Sequence, residues 1–117
     1  MLAAEHVETA RQFLIDADRE YEVGDVLQAS EKLWGAASHA VTAEMHRRGM
    51  APNGHRAAVD AVREFGEDYQ DDALLPLFKV AEMLHANFYH GFLHPDKIPE
   101  NRDLVHDFVE RMLRYTG

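Results

Sequence analysis

The sequence predicts an all-α fold, an up-and-down four-helix bundle with one additional short helix, in a single domain over residues 1–117. Three observations lead there. Apolar residues recur at steps of three and four along most of the chain. No run shows the strict alternation of a half-buried strand. Residues 25–49, DVLQASEKLWGAASHAVTAEMHRRG, read as one long helix with both ends marked.

The first helix is expected from about Leu2 to Glu22, with Ala3, Val7, Ala10, Leu14, Ala17 and Tyr21 forming a seam. Gly24–Asp25 breaks it. So short a linker returns the second helix antiparallel to the first. Asp25 with Gln28 three residues on is a capping-box pattern, and Arg47, Arg48 and Gly49 are stop signals. Within the second helix, Ala29, Leu33, Ala36, Ala40 and Ala43 share one stripe. Trp34, Ala37, Val41 and Met45 share a second beside it. A helix apolar over so wide an arc needs neighbours on more than one flank, which makes it the spine of the bundle.

Met50–Gly54 is a turn by composition. A short third helix follows, about His55 to Phe65, and then an exposed acidic loop, Gly66 to Asp72. The fourth helix is expected from about Asp72 to His90, with Pro76 in its first turn, where proline is tolerated. Its seam is Leu74, Leu77, Ala81, Leu84 and Phe88, with His85 alongside. Gly91 to Ile98 is a loop. The last helix starts near Pro99 or Asn101, ends by Tyr115, and presents Leu104, Val105, Phe108, Val109 and Met112 on one face.

Composition narrows the chemistry. The net charge of −9 opposes non-specific DNA or RNA binding, which rests on Lys and Arg neutralising phosphates. Arg47–Arg48 and Arg111–Arg114 are the local basic spots, and each pair suits the dipole at a helix C-terminus. With no cysteine there is no disulfide, thiolate metal site or cysteine nucleophile. No stretch approaches the length of a membrane span, and the N-terminus lacks the pattern of a secretion signal, so a soluble cytoplasmic protein without membrane association is the expectation.

The eight histidines are spread along the chain, so their number alone marks no site. His85 projects within the apolar arc of the fourth helix, where a buried imidazole needs partners for its nitrogens. Glu82 and His85 have the Glu-x-x-His spacing of di-iron bundles, but the second such pair is absent. His90 and His94 are interrupted by Gly91. No metal and no cofactor are expected. Glu31, Lys32, Trp34 and Ser38 sit where the apolar and polar faces of the second helix meet. A tryptophan beside ionisable groups there either lines a small ligand pocket or packs half-buried with its N–H toward a polar rim.

Residues 24–41 (GDVLQASEKLWGAASHAV) and 84–92 (LHANFYHGF) resemble an archaeal repeat-protein family of PaREP type, with bacterial relatives, grouped with the HEPN superfamily. The stretch from Gly49 to His55 is similar to the loop-then-histidine start of the third helix in that group. The resemblance implies an HEPN-like bundle, commonly a homodimer. It also implies a module for a nucleotide, an RNA or a partner protein; the polar cluster near Trp34 and His85 makes Glu31, Lys32, Trp34, His85, Asn87 and Tyr89 the candidate ligand-binding set. Catalytic HEPN members are metal-independent ribonucleases with an Arg-x4-His type of motif. The equivalent here is His85-Ala-Asn-Phe-Tyr-His90, with His90 as the catalytic candidate and a histidine in the arginine position. Arginine is a permanent cation that can fork onto a phosphate, whereas a histidine in apolar surroundings favours its neutral form. A degenerate ribonuclease and an inert subunit of a toxin–antitoxin-like system are therefore the alternatives to a binding module.

Overall fold

The structure is a computed structural model that describes residues 2–117. It contains five α-helices: α1 Ala3–Glu22, α2 Val26–Arg47, α3 His55–Asp68, α4 Leu74–His90 and α5 Ile98–Thr116. A 3-10 turn, Pro95–Lys97, leads into α5. There is no strand among the described residues. The molecule is all-α, a helical bundle in which α3 is the shortest helix at 14 residues.

The α1–α2 turn forms as its residues dictate. Gly24 takes a φ of +87°, which a side chain would strain. The Asp25 carboxylate accepts from the Gln28 backbone N–H at 3.1 Å, satisfying one of the helix's orphan donors. The reciprocal half of the box does not form; the Asp25 N–H instead donates to the Glu20 carbonyl at 2.9 Å. Gly49 (φ +74°) marks the other end of α2.

Helix α2 packs against all four other helices. Both of its apolar stripes are buried, apart from half-buried Trp34. Burial of this kind contributes roughly 25 cal/mol for each Å² of apolar surface removed from water, so the spine supplies a large share of the core. The side of α2 that carries Gly35 and His39 is half-buried under α1. A Cβ on Gly35 would lie 2.9 Å from the Phe13 ring, so the helices approach closely there because residue 35 has no side chain.

Several expectations need correction. Helix α3 runs on to Asp68, so the first part of the expected acidic loop is helical. The rest of that segment is tied down rather than solvated. Asp71 is buried: its carboxylate accepts from Arg111 Nη1 at 3.0 and 3.1 Å and from Tyr115 Oη at 2.6 Å. Burial alone would raise its pKa, but these donors outweigh burial and lower it. Arg111 is thereby occupied within the fold. In α4, Asn87 is buried and Phe88 only half-buried, the reverse of the expected seam. In α5, Leu104 faces solvent, and Ile98, Asn101 and Leu113 extend the buried face instead.

Arg47 and Arg48 do more than complement a dipole. Glu44 is fully buried, and its carboxylate accepts from Arg47 Nε (2.7 Å) and Nη2 (2.9 Å), Arg48 Nε (2.9 Å), Thr116 Oγ1 (3.1 Å) and Tyr69 Oη. This staple joins the ends of α2, α3 and α5. Burial would raise the Glu44 pKa, but the bonds from Arg47, Tyr69, Arg48 and Thr116 prevail and hold it at about 2.

Candidate functional site

Helices α2 and α4 cross so that Glu31 and Trp34 meet Phe78 and His85, which with Glu82 and Tyr89 follow one another up a single face of α4. Trp34 and His85 stack with ring centroids 4.9 Å apart. The indole also meets Phe78 at 5.6 Å, which seats it on the core. Tyr89 approaches His85 edge-on at 5.3 Å.

His85 is half-buried rather than enclosed. Its Nδ1 bonds Glu31 Oε1 at 2.8 Å, which fixes the ring and leaves Nε2 directed elsewhere. A second carboxylate–imidazole pair lies beside it. His55, the first residue of α3, contacts Trp34 at 5.5 Å and pairs through Nε2 with Glu82. Glu82 therefore serves His55 and not His85, and Lys79 Nζ lies 3.1 Å from its other oxygen. The Glu-x-x-His spacing on α4 thus splits between two partners on different helices. No group of three or more metal-ligating side chains converges among the described residues.

Two depressions open at this junction and share Trp34 and Ser38 in their walls. One, of about 320 Å³, is lined by Phe13, Gln28, Glu31, Lys32, Gly35, His39 and His85 together with the shared pair. The other, of about 290 Å³, adds Thr42, Met45, Pro52, Gly54, His55 and Ala58. Each is of the size that small-ligand pockets begin at. Lys32 stands at the rim with its ammonium 5.0 Å from the centre of the Phe13 ring, held by a cation–π contact. The groove thus offers the tethered imidazoles of His55 and His85, the Glu31 carboxylate, one ammonium and an indole. That set can hydrogen-bond a polar ligand and hold an apolar or aromatic portion against a rigid wall. A larger depression of about 680 Å³ lies between α3 and the start of α4. The buried acid in its wall, Asp71, is already bound to Arg111 and Tyr115.

Of the residues singled out in the sequence, Glu31, Lys32, Trp34 and His85 line one groove. Tyr89 borders it through His85 and is largely exposed. Asn87 stands apart: it is buried, donates to Ser30 Oγ at 3.0 Å and accepts from the Leu93 backbone N–H at 2.7 Å. Its amide closes the turn after α4 and has no face toward the groove. His90 is exposed on the last turn of α4, which stays helical through that residue. At ~100° per residue His85 and His90 point about 140° apart, so they do not share a site within one chain. His55 and Glu82 are members of the site that sequence reasoning missed. The turn over residues 50–54 brings His55 to Trp34, and only its glycine and proline hint at that return.

A search of curated proteins finds no match. A crystal structure of a protein from Sulfolobus solfataricus superposes with a TM-score of 0.81 at 18% identity, covering 93% of this chain and 97% of that one. That likeness concerns the fold. The sequence profile of the archaeal PaREP1/PaREP8 family matches residues 5–109.

Proposed function

This chain belongs to the archaeal PaREP1/PaREP8 family, and from that premise we propose that it is an HEPN-like binding module whose groove at Trp34 takes a ligand of nucleotide size. The observation that carries the reading is the stack of His85 on Trp34, with His85 tethered by Glu31 at the wall of an open depression. The Glu31 carboxylate fixes the imidazole ring at a solvent-lined wall, ready to meet a ligand. The two depressions that meet at Trp34 give room for a planar base on one side and a polar group near Lys32 on the other. The net charge of −9 favours a mononucleotide or a nucleic-acid end over a long polyanion.

A ribonuclease built on His90 is the weaker reading. An imidazole stacked on an indole cannot fork onto a phosphate as a guanidinium does, and His85 and His90 diverge. Homodimerisation belongs to the same proposal. Tyr89 and Phe92 are exposed at the C-terminal end of α4, and so is Leu27 in the first turn of α2, giving apolar surface for a second copy.

Isothermal titration of the purified protein with mononucleotides and short RNAs tests the reading. Binding that Trp34→Ala and Glu31→Gln each weaken while the protein stays folded supports it. Binding indifferent to both substitutions, or none to any of these ligands, overturns it. Metal-independent RNA cleavage abolished by His90→Ala would favour the ribonuclease instead.

A further inference from the structure

On the α1 side of the depression that Trp34 and His85 line, the structure gathers one histidine of α1 and two of α2. His6 on α1 and His39 on α2 face each other with Nδ1 atoms 2.9 Å apart. His46, two turns further along α2, has its ring centre 6.4 Å from that of His6. The Phe13 ring lies 5.4 Å from His39 and limits the tilt of its imidazole.

We propose that His6 and His39 form a two-point chelate for a late first-row divalent ion, copper(II) in preference to nickel(II) or zinc(II), with solvent completing the shell. The spacing is the first argument. Two imidazole nitrogens about 2.05 Å from one ion and at right angles lie about 2.9 Å from each other, the separation of cis ligands in a tetragonal site. The proton inventory is the second. Without an ion, one ring must carry its proton on Nδ1 to bond the other. With an ion, both rings carry their proton on Nε2, both Nδ1 lone pairs face the metal, and two of its waters leave. One proton moves from Nδ1 to Nε2 of a single ring and none is lost. Neutral rings are what a metal requires, and the Nδ1–Nδ1 contact already needs one ring to be neutral. The third argument is rigidity: the two ligands sit on packed helices, and the site keeps open positions because no third ligand converges on it among the described residues. His46 is exposed, with its ring in contact with that of His6. The order of metals follows the general rise in affinity to copper(II) for nitrogen ligands.

The test is a titration of untagged protein with copper(II) at neutral pH, read by electron paramagnetic resonance and by thermal unfolding. One equivalent should bind with nitrogen hyperfine structure and raise the Tm. His6→Ala and His39→Asn should each weaken binding by about tenfold or more, since loss of even an outer-shell partner costs that much. His94→Ala, on the exposed turn before α5, should change nothing. Circular dichroism of each variant, and His6→Gln as a milder change, separate lost folding from a lost ligand. Equal affinity in folded His6→Ala or His6→Gln and in the parent protein places the ion elsewhere and overturns the proposal, as does failure to bind copper.

Discussion

Replacing Glu44 by glutamine tests the energetic account of the bundle. The carboxylate is fully buried and bound by Arg47, Arg48, Tyr69 and Thr116, which together hold its pKa at about 2 against an ordinary 4.5. At about 1.4 kcal/mol for each tenfold in proton affinity, that difference is worth about 3 kcal/mol of folding free energy. The figure agrees with the roughly 3–5 kcal/mol lost when one partner of a buried ion pair is removed. For a chain of 117 residues, an unfolding entropy of roughly 2.1 cal/mol/K per residue converts it to a fall in Tm of roughly 12 °C. The sign against pH follows from the depressed value. The contribution is complete above pH 4.5, where the unfolded carboxyl is ionised, and is lost as pH falls toward 2. Glu44→Gln should therefore be destabilised at pH 7 and should lack this part of the acid-induced loss. Urea unfolding at pH 7, 4.5 and 3 measures both effects. A Glu44→Gln protein within 1 kcal/mol of the parent at pH 7, with an unchanged acid profile, would refute the reasoning.

Three further substitutions probe the framework of the bundle. Asn87→Ala strips partners from Ser30 and from the Leu93 N–H and should cost about 1–3 kcal/mol by chemical unfolding, while nucleotide affinity of the folded protein is unchanged. Gly35→Ala should destabilise by about 1 kcal/mol even though alanine favours helix, because its Cβ meets the Phe13 ring and forces α1 outward. Asp71→Asn should cost about 2–3 kcal/mol by releasing Arg111 and Tyr115, and its parent's share of acid stability should be present above the ordinary carboxylate range and fall away below it.

The helices were legible because their signals are local. Asp25, Gly24 and Gly49 act within a few residues of themselves, and the two stripes of α2 state directly that it is enclosed. The meeting of Trp34 and His85 could be anticipated for the same reason: each lies at the edge of an apolar stripe on a helix whose neighbours are constrained by short turns. What the sequence concealed depends on distant partners. Arg47 and Arg48 read as cations at a helix C-terminus, and nothing local announces that Tyr69 and Thr116 join them around a buried Glu44. Asp71 reads as loop for the same reason, because Arg111 and Tyr115 lie 40 and 44 residues away. Asn87 and Phe88 exchange places because the buried amide is needed by Ser30 and by the turn at Leu93. His6 and His39 show no sign in the sequence of being neighbours; their contact follows from the register of α1 on α2.

Trp34 is the protein's one tryptophan, so its fluorescence reports on the groove alone. Titration with a mononucleotide, followed by Trp34 emission alongside calorimetry, tests the central claim most directly. Emission should change in step with the heat of binding, and His85→Ala should suppress both. Heat released with emission unmoved, and with His85→Ala without effect, would place the ligand elsewhere on the molecule and contradict the account.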